Sequence, residues 1–96
     1  MDIIDNNKQL CADVERLTAE GRFDEALSAL DSAIASNPNA DLLYMRGRLL
    51  WKLGREADAM SDYAAAADLD PSSPAAAALE MARDIMDFYN HDLYNP

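Results

Sequence analysis

Apolar residues recur along this chain at spacings of three and four, the period of an amphipathic helix. Leu10, Val14 and Leu17 mark a first stripe, and Ala26, Leu27, Leu30, Ala33 and Ile34 a second. Leu43, Gly47 and Leu50 make a third, and Ala59, Met60, Tyr63, Ala66 and Leu69 a fourth. Gly21 and Gly54 separate the members of each pair, and glycine accepts the left-handed backbone that closes helices. Asp24 opens the second helix as a cap or a first-turn acid. Asn37-Pro38 and Asp70-Pro71 end the second and fourth helices, because a residue before proline disfavours the helical region. Ser72-Ser73-Pro74 starts a fifth, with serine as cap and proline as first helical residue. That helix is expected to run from Pro74 to about Asn90, with Ala78, Met81, Ala82 and Ile85 as its packing stripe. The pattern predicts an all-α fold.

The stripes also repeat. A shift of 33 residues places Gly21-Arg22 on Gly54-Arg55, Ala26 on Ala59, Ser28 on Ser61, Ala33 on Ala66 and Pro38 on Pro71. Leu10 then falls on Leu43 and Leu17 on Leu50, while Leu27 meets Met60 and Leu30 meets Tyr63. A column of matches at one offset marks two copies of a helix-turn-helix unit.

This unit resembles the tetratricopeptide repeat. The second copy supplies the family's sizes in order through Leu43, Gly47, Leu50, Gly54, Ala59, Tyr63, Ala66 and Pro71. The first supplies Leu10, Val14, Leu17, Gly21, Ala26, Leu30, Ala33 and Pro38, with Phe23 just after the turn. Val14 replaces the usual small residue, Glu56 stands where Phe23 stands in the first copy, and the pitch is 33 rather than 34. The resemblance covers about residues 7–73. It implies a short right-handed α-solenoid of two hairpins plus a terminal capping helix. As one domain over 1–96, the chain would place repeat one at about 7–39 and repeat two at about 40–73. The cap would occupy about 74–90 and a tail 91–96.

Composition narrows the function. Eighteen Asp and Glu against eight Lys and Arg give a net charge of −10. Such a chain is repelled by nucleic-acid phosphates and by anionic membranes, so neither is an expected partner. Half the residues are hydrophobic, which argues for a folded domain. No apolar run approaches the roughly 20 residues that span a bilayer, and the opening MDIIDNNKQL does not read as a secretory signal. One cysteine fits a reducing, cytoplasmic setting.

Catalytic chemistry finds no footing. His91 is the only histidine, and Cys11 lies about 80 residues away, so no metal or cofactor site is expected. Three glycines make no phosphate loop. Asp84 and Asp87 share a helix face, but nothing in the pattern buries them as an acid–base pair. The expected protein is therefore not an enzyme and carries no cofactor.

What remains is surface for binding a protein or peptide. In the family that this chain resembles, the first helices of successive repeats line a concave groove. The residues matching groove-facing positions include Cys11 and Glu15 in the first copy. Tyr44, Met45, Arg48, Trp51 and Lys52 match them in the second, and Arg83 on the end helix. Arg46, Arg48, Lys52 and Arg55 hold half of all basic residues within ten positions. Tyr44, Arg48, Trp51 and Lys52 share a helix face, and Trp, Tyr and Arg are enriched at binding hot spots. This face suits an acidic or apolar segment. The other reading of the same residues puts Trp51 in the core and uses the cations to neutralise the acidic second helix. Some family members grip a chaperone-tail carboxylate with lysine and asparagine; Cys11, Glu15 and Met45 occupy those places here, so that use is not expected. A second expectation is self-association. Leu79 and Met86, with Phe88, Tyr89 and Leu93, leave apolar groups beyond the end helix's packing stripe, to be covered by the tail or by another molecule. A homodimer built on the terminal helix is thus the alternative to a peptide-binding module.

Overall fold

The computed structural model describes the backbone of residues 3–94 and the side chains of residues 8–87. Five helices follow one another: α1 (Ile3–Ala19), α2 (Phe23–Ser36), α3 (Ala40–Lys52), α4 (Glu56–Leu69) and α5 (Ala75–Tyr94). Among the described residues there is no strand. The chain divides into two compact units, one up to Pro38 and one from Asn39 onward. In the first, α1 packs on α2; in the second, α3 packs on α4 and α4 on α5.

Both hairpins close by the same device. Gly21 has φ 77° and Gly54 φ 83°, the left-handed region in which any other residue is strained. The Gly21 amide donates to the Thr18 carbonyl at 3.0 Å and the Arg22 amide to Leu17 at 2.8 Å. Gly54 donates to Trp51 at 3.0 Å and Arg55 to Leu50 at 2.9 Å. This is the Schellman pattern, which satisfies carbonyls left over at a helix end. The next helix starts at once, with Ala26 donating to the Arg22 carbonyl and Ala59 to that of Arg55. Neither arginine caps through its side chain, and the acids Asp24, Glu25, Glu56 and Asp58 sit in the first turns, where they complement the helix dipole.

The other junctions use side chains. Asn39 caps α3 by accepting from the Leu42 amide at 2.9 Å. After α4, the Asp70 carboxylate accepts from both the hydroxyl and the amide of Ser72. The hydroxyl bond, then the amide bond, holds the Asp70 carboxyl below the ordinary carboxylate range. Ser73 is buried, and its hydroxyl accepts from the Ala75 amide at 3.1 Å, capping α5.

Val14, Leu17, Ala26 and Leu30 are buried in the first unit. In the second, the buried residues include Leu42, Leu43, Leu49, Leu50, Ala59, Tyr63, Ala66, Ala75 and Ala82. Three expectations need correction. Leu69, placed in the α4 stripe, is 57% exposed, because it lies at the stripe's edge in the last turn. On α5 the buried stripe is rotated. Ala75 and Ala82 are buried and Leu79 and Met86 half-buried, whereas Met81 and Ile85 of the expected stripe are 63% and 37% exposed. Leu79 and Met86 are therefore not the surplus apolar groups of this helix. Finally, α5 does not stop near Asn90 but continues to Tyr94, so His91 and most of the expected tail are helical. The side chains of Phe88, Tyr89 and Leu93 lie outside the described residues.

Candidate functional site

The face singled out in the sequence is built on α3, and it starts from a glycine. A Cβ on Gly47 would stand 2.7 Å from Cε1 and 2.8 Å from Cδ1 of Tyr63, and 3.3 Å from the Ala59 carbonyl oxygen. Only glycine lets the α4 backbone and the Tyr63 ring come this close. One turn earlier on α3, the Tyr44 ring lies 5.9 Å from that of Tyr63, tilted by 42°. This is within the range of favourable aromatic pairs. One turn later, the Arg48 guanidinium carbon stands 5.8 Å over the Tyr44 ring, a cation–π distance. Gly47, Tyr63, Tyr44 and Arg48 thus form a ladder from the core to the surface. Tyr63 is buried, Tyr44 half-buried and Arg48 exposed. Burial pushes the Tyr63 phenol above its ordinary value, and Tyr44 and Asp62 add to this while Arg48 opposes it.

The four clustered cations have different jobs. Arg46 makes two bonds to the Asp62 carboxylate, at 2.8 and 2.9 Å, across the α3–α4 hairpin. Asp62 is 6% exposed, so this is a bidentate and largely buried ion pair. Arg55 pairs with Asp58, three residues on, at the surface. Both cations neutralise acids of α4, as the second reading of the cluster expected. Arg48 and Lys52 are exposed, and among the described residues no ion pair reaches Arg48. Trp51 and Met45 are half-buried. The ladder therefore joins Tyr44 and Arg48 directly, with Trp51 and Lys52 farther along the same helix.

The remaining predicted residues belong elsewhere. Cys11, half-buried, and Glu15, exposed, lie on α1 in the first unit. Arg83 is exposed on α5. Sequence reasoning missed Asp62 as a partner of this face. Its signal was present, since Asp62 falls within the apolar stripe of Ala59, Tyr63 and Ala66, where an acid must find a cation. Among the described residues, no group of three His, Cys, Asp or Glu side chains could hold a metal ion. No helix there is long and apolar enough to cross a membrane.

Comparison with known proteins agrees with this geometry. A family model described as the tetratricopeptide repeat matches residues 15–74, which run from the end of α1 through α2, α3 and α4. The chain belongs to the tetratricopeptide repeat family. Domains of this family are generally protein-interaction modules and typically non-catalytic. The chain is also similar to the Bacteroides fragilis protein BF1650, known from a solution NMR structure. The two are 36% identical, with a TM-score of 0.76 over 91% of this chain and 89% of that one. No match is found among curated protein sequences. The tetratricopeptide repeats here correspond to α1–α2 and α3–α4, and α5 follows them as a single helix.

Proposed function

We propose that this tetratricopeptide repeat protein is a non-catalytic binding module that takes a protein or peptide segment on the α3 face. The observation that carries the reading is the exposed Arg48 seated over Tyr44, while neighbouring Arg46 and Arg55 are engaged with Asp62 and Asp58. An arginine held in place by an aromatic platform loses little freedom when it pairs with a carboxylate. Trp51 beside it offers apolar area of the kind that anchors hot spots. The segment that fits is one carrying an acidic residue next to an apolar side chain. Lys52 and Met45 extend the proposed set on α3, and Arg83 on α5 belongs to the same unit; Cys11 and Glu15 on α1 are proposed as partner-binding residues of the first unit.

Capture of proteins from the source cell's extract tests this. Immobilised wild type should retain a partner that the Arg48→Ala, Trp51→Ala double variant loses, with both proteins showing the same helical circular dichroism. Retention should weaken as salt rises, as expected for an arginine–carboxylate contact at a surface. Single alanines at Met45 or Arg83 should weaken capture less than Arg48→Ala. A double variant that retains every wild-type partner would refute the α3 face.

A further inference from the structure

Acids outnumber bases by eighteen to eight in this chain, so an arginine rarely lacks a carboxylate partner. Arg16, Arg22, Arg46 and Arg55 each form an ion pair with an acid of the chain. Among the described residues, Arg48 and Arg83 form none. Both are exposed, and both belong to the second unit. One turn from Arg48 stand Tyr44, Met45, Trp51 and Lys52, none of them acidic. One turn from Arg83 stand Glu80 and Asp87, and it is ion-paired with neither.

The two arginines sit in the same local frame. Each directly follows a small buried residue, Gly47 on α3 and Ala82 on α5. Each has a half-buried apolar side chain four residues before it and another three residues after it. These are Tyr44 and Trp51 on α3, and Leu79 and Met86 on α5. Residues at those spacings share a helix face with the arginine. Both helices pack on α4, and short loops join each to it, so α3 and α5 run parallel to one another. The second unit thus carries the same arginine-and-apolar surface twice. We infer that the segment taken by the α3 face bears two acidic residues, each beside an apolar side chain, and crosses from α3 to α5. Arg48 takes one carboxylate and Arg83 the other. This rests on the reading of the α3 face given above and adds its second anchor. Charge complementarity carries it: a chain of net charge −10 repels an acidic segment except where cations stand without an acid of their own. A guanidinium in that state has its donors open to a bidentate carboxylate.

Packed helices lie about 8–10 Å apart, so two helices that share α4 stand about 10–20 Å apart, which about three to six residues of extended peptide cover. Synthetic peptides with blocked ends therefore carry two glutamate-leucine pairs in a serine-glycine background, the glutamates three, four, five or six residues apart. In companion peptides one glutamate is replaced by glutamine. Each is labelled with fluorescein and titrated with the full chain by fluorescence anisotropy. At the best spacing, the two-acid peptide should bind about tenfold more tightly than its one-acid companion. Arg83→Ala should remove that advantage and leave the one-acid peptide bound within about twofold of wild type. Arg55→Ala makes the same change in net charge at a paired arginine and should keep the advantage. Arg48→Ala with Trp51→Ala should lose both peptides. All three arginines are exposed, and circular dichroism checks that each variant folds. An advantage that survives Arg83→Ala, that is lost equally in Arg55→Ala, or that appears at no spacing overturns the two-anchor inference. The α3 reading then still stands if the Arg48 and Trp51 double variant loses the peptides. Equal binding by that double variant, or no binding by wild type, overturns both. Light scattering that shows a concentration-dependent doubling of mass, abolished by Arg48→Ala and by Arg83→Ala, would give the two arginines to acids of a second copy and also overturns the inference.

Discussion

Glycine at position 47 is held by contact rather than by backbone angle. A glycine-to-alanine change inside a helix ordinarily gains about 1 kcal/mol. Here the added Cβ would meet the edge of the Tyr63 ring at Cδ1 and Cε1, and a rigid ring packed in the core cannot swing aside as a flexible chain end could. Overpacking of this kind costs roughly 1–3 kcal/mol, so Gly47→Ala should be a net loss of about 1 kcal/mol. A thermal melt checks it, and an unchanged or raised midpoint would mean that the ring is not packed there. Tyr63 gives a second test. Burial favours its neutral phenol in the folded state, so its folded pKa lies above the unfolded value of about 10. The stability tied to that group is fully present below the unfolded pKa and is lost as pH rises through the folded one. In a tyrosinate absorbance titration, Tyr63→Phe should remove a component that titrates above the ordinary range. An identical curve for the variant would place the phenol in water.

At the scale of elements, α5 depends on a single side-chain cap. Ser73→Ala removes the hydroxyl that accepts from Ala75 and should cost about 1 kcal/mol, within the usual range for an N-cap serine. Urea denaturation reads this as a lower midpoint at constant slope. Most element boundaries were legible in the sequence, because they are local events. Gly21 and Gly54 repeat at 33 residues and both take positive φ, and each carries its closing hydrogen bonds with it. The rotation of α5 was not legible, since residues 75–79 begin it with four alanines and a leucine. A helix that is apolar on most sides does not say which side is buried. Its end was misread for a related reason: between Pro74 and Pro96 there is no glycine or proline to stop it. In the candidate site, Tyr44 and Arg48 were legible as an i, i+4 pair. Tyr63 and Asp62 were not, because their parts depend on the register between two helices, which no single helical period contains.

For the whole molecule, charge is the dominant surface property. Eighteen acids against eight bases leave a net charge of −10, and self-repulsion of this size opposes folding. The surface ion pairs Arg22–Glu25 and Arg55–Asp58 act in the opposite sense, but exposed pairs contribute only about 0–1 kcal/mol each. Salt screens both effects, with a Debye length near 30 Å at 0.01 M and about 8 Å at 0.15 M. Since repulsion involves many more charges, the melting temperature should rise between those two salt concentrations. A fall would mean that the pairs matter more than the net charge. Acidification toward pH 4.2, where the net charge vanishes, should bring the solubility minimum.

The Arg46–Asp62 pair has a consequence for how two similar hairpins avoid exchanging their halves. The positions equivalent to Arg46 and Asp62, 33 residues earlier, are Asp13 and Ala29. Should α3 pair with α2 during folding, Arg46 would face an alanine. Should α1 pair with α4, Asp13 would face Asp62, two carboxylates at a nearly dry site. Only the native partners place opposite charges together. Near-identical units in tandem are prone to swapped assembly, and one ion pair present in a single hairpin gives the growing chain a way to tell its helices apart.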